Sequence, residues 1–534
     1  MRALLLIVQI LNLCRYISAH DEEYLEFPDG FSIGVATSAF QIEGAWNASG
    51  KKENIWDHRM HNNIALSLDG GTADVACDSY HKYKEDVQLI KNIGFNHYRF
   101  SISWSRVLPN GSPDEINKDG IQYYTNLINE LVSNGIKPFV TLYHFDDVQS
   151  LIARTGGWSN ESMVEYFADY ARVMFRELGS KVKFWSTINE PDIYCKYYAY
   201  LNETAANTAY RNRYLCAHNL LKAHARTYHI YDEEFRAIQK GKIGLAVNSG
   251  YYFPKSKDDT ESADIAFAFE GGWILNPIFS TNGDYPEVMK RRIAENSKAE
   301  GLTHSRLPEF SPQWIDYIKG TFDYLGLNHY VPAMIEPANK TADGRWYDDI
   351  GVIYTNHSKW KTTSMGFGVY PKGIGGVLRK ITKTFNNPTI YILENGASLR
   401  SGVIDVDRVE YFYSYMKEVL LAIRDGCDVR AYTAWSLLDN FQWFWGYSLR
   451  YGIVSVDFKD SNRRRTPKLS SYWLKTVIHE RKLLPYNQII LNIVKLGTPK
   501  YINGVAGHSS HGHCAISACL SFIFVLSITH GNLI

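Results

Sequence analysis

The chain has 534 residues, 45% of them hydrophobic and 14% aromatic, enough apolar material for one large globular domain or two ordinary ones. Its 57 Lys and Arg nearly balance its 56 Asp and Glu, leaving a formal charge of +1. That excludes the strong basic excess that nucleic-acid or anionic-membrane binders need, and Arg463-Arg464-Arg465 reads as a solvated loop.

In chain order, Met1-Arg2, an apolar run over residues 3–14 and Ile17-Ser18-Ala19 precede the polar His20-Asp21-Glu22-Glu23. A basic start, a short apolar run and small residues predict a signal peptide over residues 1–19. Short β-branched and aromatic runs then predict strands at 31–38, 97–103, 137–143, 183–189, 242–248, 324–330, 389–395 and 429–437. Their near-continuous apolarity suits strands covered on both faces. Amphipathic helical stretches lie between some of them, at 80–93, 119–134, 162–178 and 409–425. Strands alternating with helices predict an α/β fold, a single-domain (β/α)8 barrel over residues 20–500. An open doubly wound sheet usually carries a Gly-rich phosphate turn after its first strand, and none is present.

The last segment, 503–534, ends in an apolar run over 515–528, preceded by the small and polar residues of 503–513. Fourteen residues make about 21 Å of helix, short for a span of about 30 Å. The pattern fits a GPI-anchor signal better, with attachment among Asn503, Gly504, Gly507 and Ser509. Membrane attachment through a C-terminal lipid is the expectation. Sequons at Asn47, Asn110, Asn160, Asn202, Asn339 and Asn356 agree with a secretory route. Cys14, Cys514 and Cys519 lie in segments expected to be removed, leaving Cys77, Cys195, Cys216 and Cys427. A Cys195–Cys216 bridge and buried thiols both remain open, and no metal-ligand spacing is present. His508, His511 and His513 read as part of a discarded spacer.

In such a barrel the reactive face lies at the C-terminal ends of the strands. Gln41 follows the first strand, Arg99 lies in the second, His144 follows the third and Asn189-Glu190 closes the fourth. Asn328 and Tyr330 close the sixth, Glu394-Asn395 the seventh, and Trp435 lies near the end of the eighth. Polar groups and a flat aromatic on one rim suit a sugar. Hydrolysing its acetal needs a proton for the leaving oxygen and negative charge across the ring. Glu190 and Glu394 are the two candidates, each beside an Asn expected to orient a substrate hydroxyl.

Seven segments in register carry a resemblance: FSIGVATSAFQIEGAWNASGKKENIWD (31–57), DSYHKYKEDVQLIKNIGFNHYRFSISWSRVLP (78–109), TLYHFD (141–146), TINEP (187–191), GLNHY (326–330), ILENG (392–396) and AWSLLDNFQWFWGY (434–447). Across its globular length the chain resembles glycoside hydrolase family 1, the β-glucosidase and myrosinase family. The resemblance implies a retaining β-glycosidase acting on small-molecule glycosides or oligosaccharides without a cofactor or metal. Glu190 falls on the acid/base and Glu394 on the nucleophile, with carboxyls about 5–5.5 Å apart. Arg99 and Tyr330 fall on positions that hold the nucleophile ionised. Gln41, His144, Asn189, Asn328, Gln442 and Trp443 fall among the sugar-binding positions, and Trp435 on the floor beneath the ring.

The chain also departs from the pattern. Gln442 stands where the family usually has Glu, removing a charged acceptor for the 4- and 6-hydroxyls and predicting a weakened or shifted preference for the sugar. Asp147-Val148 replaces Leu-Pro, Trp445 adds bulk, and the segment 195–216 lacks the usual Gly-rich loop; these changes are expected to reshape the aglycone side. Two alternatives accompany the resemblance. Plant myrosinases carry Gln in place of the acid/base Glu, but insect-type myrosinases keep both acids, so a thioglucosidase is one. A non-catalytic cell-surface binding protein is the other, although such members typically lose a glutamate.

Overall fold

The computed structural model describes residues 25–198, 206–338, 345–399 and 402–483. The predicted leader 1–19, the C-terminal segment 503–534 with its apolar run, and the sequons at Asn202 and Asn339 lie outside the described residues. All eight predicted runs are strands, trimmed by up to two residues at an end. They are β1 (Ser32–Ala36), β2 (His97–Ser101), β3 (Lys137–Tyr143), β4 (Phe184–Asn189), β5 (Lys242–Asn248), β6 (Tyr324–His329), β7 (Ile390–Asn395) and β8 (Val429–Trp435). Each pairs in parallel with its neighbours, and β8 returns to β1, closing the barrel.

Helices cover the outer face. The four predicted ones span Ser79–Ile93, Lys118–Ser133, Met163–Leu178 and Val406–Arg424. In Met163–Leu178, Val164, Phe167, Ala168, Ala171, Phe175 and Leu178 fall on one stripe at three- and four-residue spacing, and all are buried. Further helices, Ala206–Ile230, Glu287–Ala299, Lys372–Thr384 and Leu469–Glu480, were not predicted. The apolar stripe of Lys372–Thr384 is interrupted by Gly373, Gly375 and Gly376, which lower its helix propensity.

The lower lumen is filled rather than open. Phe139 stacks between His97 and Phe184, each with its ring centroid 4.2 Å away, and Tyr324, Tyr391 and Leu393 complete the plug. His97 Nδ1 meets Ser32 Oγ at 2.7 Å and Nε2 meets Thr433 Oγ1 at 2.8 Å. Burial pushes this imidazole down to about 3, so it stays neutral. Gly34 makes room for it, since a Cβ there would lie 2.2 Å from Nε2.

Two expectations are resolved here. Cys195 and Cys216 form a disulfide, whereas Cys77 and Cys427 are buried thiols. The basic run is not a uniformly solvated loop: Arg465 is buried and donates to Asp86 at 3.0 Å, and only Arg464 faces water. Among the described residues no helix is long and apolar enough to cross a membrane.

Candidate active site

Above the plug, side chains from β2, β3, β4, β6, β7 and β8 converge. On β2, His97 and Arg99 are two residues apart, so both point inward and Arg99 lies one layer higher. The Arg99 guanidinium crosses the barrel. Its Nη1 donates to Glu394 Oε1, Nη2 to Asn189 Oδ1 at 2.7 Å, and Nε to Thr141 Oγ1 at 3.2 Å.

Simple alternation does not place both carboxyls. On β7, Tyr391 and Leu393 face the lumen, so the next inward position would be Asn395. A register shift after Ile392, seen against both neighbouring strands, turns Glu394 inward instead. Asn395 is thereby sent outward, where its Nδ2 donates to His329 O and Tyr411 Oη and its Oδ1 accepts from Tyr432 Oη. The expectation that Asn395 orients a substrate hydroxyl is therefore corrected: every hydrogen-bonding group of its amide is engaged away from the lumen. On β4 a register shift between Ser186 and Asn189 does the opposite, bringing Asn189 inward while Thr187 faces the helix side and meets His224 Nδ1.

Glu190 follows at φ 41° and ψ 61°, a left-handed conformation rarely adopted by a residue with a side chain. Pro191 disfavours the right-handed helical region for the residue before it, and Glu190 N–H bonds Ala246 O at 2.7 Å. Phe145 (φ 72°) and Trp443 (φ 54°) are similarly strained and flank the same site, where such strain tends to collect.

The two carboxyls share the site but not the environment. Tyr330 Oη donates to Glu394 Oε2 at 2.6 Å, and His144 Nε2 lies 3.5 Å from Oε1. Burial, the largest single influence, would raise the Glu394 pKa, but Arg99, His144 and Tyr330 together outweigh it and hold it well below the usual carboxylate range. Glu190 receives one N–H, from Asn328 Nδ2 at 2.9 Å. Burial, then the negative charge of Glu394, pushes its pKa well above the usual value. One carboxyl is kept ionised and the other protonated. Asn328 Nδ2 also reaches Asn189 Oδ1 at 3.0 Å, so a continuous chain of hydrogen bonds joins Glu190 to Glu394 through Asn328, Asn189 and Arg99.

Asn189 Nδ2, Asn328 Oδ1 and His144 Nδ1 are buried without a partner among the described residues. Donors and acceptors left open at the site are what a polyhydroxylated ligand satisfies. Trp435 and Trp443 bound the space, with Trp443 parallel to His144 at 5.9 Å and to Phe40 at 5.6 Å. Gln41, fully buried, donates to Asn440 Oδ1 (3.0 Å) and Phe441 O (2.9 Å), and Gln442 Nε2 donates to the same Asn440 Oδ1 at 2.7 Å. Asn440 was not singled out from sequence, although the Asn-x-Gln pair was its signal. Asp147 is fully buried, its carboxylate accepting from Tyr143, Trp158 and Tyr194, so it can shape the surface only through those side chains.

The site's geometry agrees with relatedness. The model of Glycosyl hydrolase family 1 matches residues 23–483. The chain belongs to that family. It is thus a β-glycosidase, and the closed barrel is the fold of its relatives. Myrosinase 1 of Brevicoryne brassicae is 40% identical over 465 residues, covering 86% of this chain and 99% of that protein. Among solved structures, an aphid myrosinase superposes with a TM-score of 0.82 at 40% identity, covering 86% of this chain and 100% of the other. A rice β-glucosidase mutant, captured in covalent complex with glucose, gives a TM-score of 0.79 at 35% identity over 84% and 99%. Both glutamates are present and share one site, and the named relatives are a myrosinase, β-glucosidases and a lactase/phlorizin hydrolase, which favours an enzyme over the binding-protein alternative.

Proposed function

We propose that this family 1 β-glycosidase hydrolyses O-linked β-glycosides with retention, Glu394 as the nucleophile and Glu190 as the acid and then the base. The observation that carries the reading is the opposed electrostatics of the two buried carboxyls. Ionised Glu394 attacks the anomeric carbon while Glu190 gives its proton to the leaving oxygen. Once Glu394 is an ester its charge is gone, the second-largest cause of Glu190's raised pKa is relieved, and the same group accepts a proton from the incoming water. The covalent glucose complex of the rice enzyme supports such an intermediate. Incubation with a 2-deoxy-2-fluoro glycoside, followed by peptide mapping, should find the label on Glu394. Label on another residue, or an inverted product, overturns the assignment.

Similarity to Myrosinase 1 favours a second reading, hydrolysis of thioglycosides. Lys196, a buried cation after Glu190, is already paired with Glu270 and lies 3.5 Å from Asp192, so its own charge is engaged within the protein. Assay of a glucosinolate beside an aryl β-glucoside decides between them.

A secretory route with a leader over 1–19 and a lipid anchor replacing the tail is part of the same proposal. Exposed sequon residues Asn47, Asn160 and Asn356 and the Cys195–Cys216 bridge support it. Release from cells by a phosphatidylinositol-specific phospholipase tests the anchor; retention of the 515–528 peptide in the mature protein rules it out.

A further inference from the structure

Asp147 stands where the family pattern has Leu, and nothing in the two-carboxyl chemistry calls for a third buried acid. Its surroundings are nonetheless built for one. Oδ1 accepts from Trp158 Nε1 at 2.8 Å; Oδ2 accepts from Tyr143 Oη at 2.9 Å and from Tyr194 Oη. Arg59, buried on the capped helix Ile55–Asn62, supplies the opposite charge nearby. The backbone is tied down as well: Ile55 N–H bonds Asp147 O at 2.9 Å, and Val148 bridges Asn54.

The three donors come from three places. Tyr143 ends β3, Trp158 sits on the turn Gly157–Ser159, and Tyr194 follows Glu190 by one helical turn, its N–H bonding Glu190 O at 3.0 Å. The Tyr194 ring also packs on Phe145, 5.7 Å between centroids, and Phe145 meets Trp443 at 5.3 Å. Glu190 occupies a strained left-handed conformation that persists only when neighbours hold it. Tyr194 is such a neighbour, and Asp147 fixes Tyr194.

We infer that Asp147 is a positioning residue: its carboxylate anchors Tyr194 and, through it, the strained turn that aims the Glu190 carboxyl at the leaving oxygen. The inference rests on the acid role proposed for Glu190. Nucleophilic attack is held separately, by Arg99 and Tyr330, so loosening the anchor should impair proton delivery more than attack.

Leaving groups of different acidity separate the two. A 2,4-dinitrophenyl glycoside departs without protonation, whereas phenyl and alkyl glycosides need it. Values of kcat/KM on the three should be compared for the parent, Asp147→Leu, Tyr194→Phe and, as benchmark, Glu190→Gln. General acid assistance contributes on the order of 10²–10⁴-fold, so Glu190→Gln should lose about that on the alkyl glycoside and little on the dinitrophenyl one. Asp147→Leu and Tyr194→Phe should lose in the same order across the three substrates, at roughly tenfold on the poorest leaving group, a small part of that assistance. Tyr194→Phe removes one hydroxyl and carries the test even where Asp147→Leu does not fold. Losses independent of the leaving group, or no loss in Tyr194→Phe, overturn the anchor while Glu190→Gln remains selective. A Glu190→Gln profile without selectivity overturns the acid assignment itself, and the anchor with it.

Discussion

Arg99 Nη2 donates to Asn189 Oδ1 across the barrel at 2.7 Å, and this bond fixes which way the Asn189 amide faces. With Oδ1 occupied by Arg99 and Asn328, only Nδ2 is left to meet a substrate, and it needs an acceptor such as a ring hydroxyl. Replacing Asn189 with Ala should reduce kcat/KM on an ordinary aryl glycoside roughly ten- to a hundredfold, the range of about 1.5–3 kcal/mol for bonds that strengthen as charge develops. The family resemblance implies that Asn189 holds the sugar's 2-hydroxyl, so on the matching 2-deoxy glycoside the loss should be small. Equal losses on both would show that Asn189 acts only through Arg99.

Glu190 makes activity and stability depend on pH in the same direction. A carboxyl whose pKa is raised by folding stabilises the protein fully below its unfolded value, and that contribution is lost as pH rises through the folded one. The protonated form is also the catalytic one. The basic limb of kcat/KM should therefore belong to Glu190, and Glu190→Gln should abolish that limb while raising the thermal midpoint in alkaline buffer. A basic limb that survives in Glu190→Gln assigns it to another group.

Glu394 carries the opposite sign. Its depressed pKa means a contribution present above the unfolded value and lost as pH falls through the folded one. Arg99→Met removes the countercharge and leaves a buried acid unpaired, a change that costs about 3–5 kcal/mol in comparable pairs. Urea unfolding at neutral pH should show that loss, and the acid limb of kcat/KM should move to higher pH. An unmoved acid limb would mean Tyr330 and His144 suffice.

The barrel was legible because strands covered on both faces leave runs of apolar residues whatever lies between them. The positions of both carboxyls were legible from the strand ends alone. What alternation could not reveal is the pair of register shifts near Asn189 and Glu394, since these depend on pairing with neighbouring strands. Asn-Glu on β4 and Glu-Asn on β7 look equivalent as text, yet one Asn enters the site and the other supports the helix Val406–Arg424. Arg465 was misjudged for a related reason: its partner Asp86 is 379 positions away, and no local pattern announces it. Asp147 looked like a rim substitution because its three donors come from separate segments.

Gln442 offers the sharpest test of specificity. Its Nε2 is committed to Asn440 Oδ1, and Asn440 cannot easily turn over because its own Nδ2 donates to Ser436 Oγ and Leu438 O. The amide therefore presents Oε1, a neutral acceptor, beside Gln41 Nε2 at 3.4 Å. A carboxylate at this position gains charge assistance toward the 4- and 6-hydroxyls but meets Asn440 acceptor against acceptor. Charged hydrogen bonds exceed neutral ones by about 1–2 kcal/mol, so either effect amounts to roughly a tenfold change in kcat/KM. Gln442→Glu should reorder aryl gluco-, galacto- and fuco-glycosides, because the last lacks a 6-hydroxyl and gains from the new charge only through its 4-hydroxyl. Identical rankings in parent and variant would mean that residue 442 does not read the sugar at all.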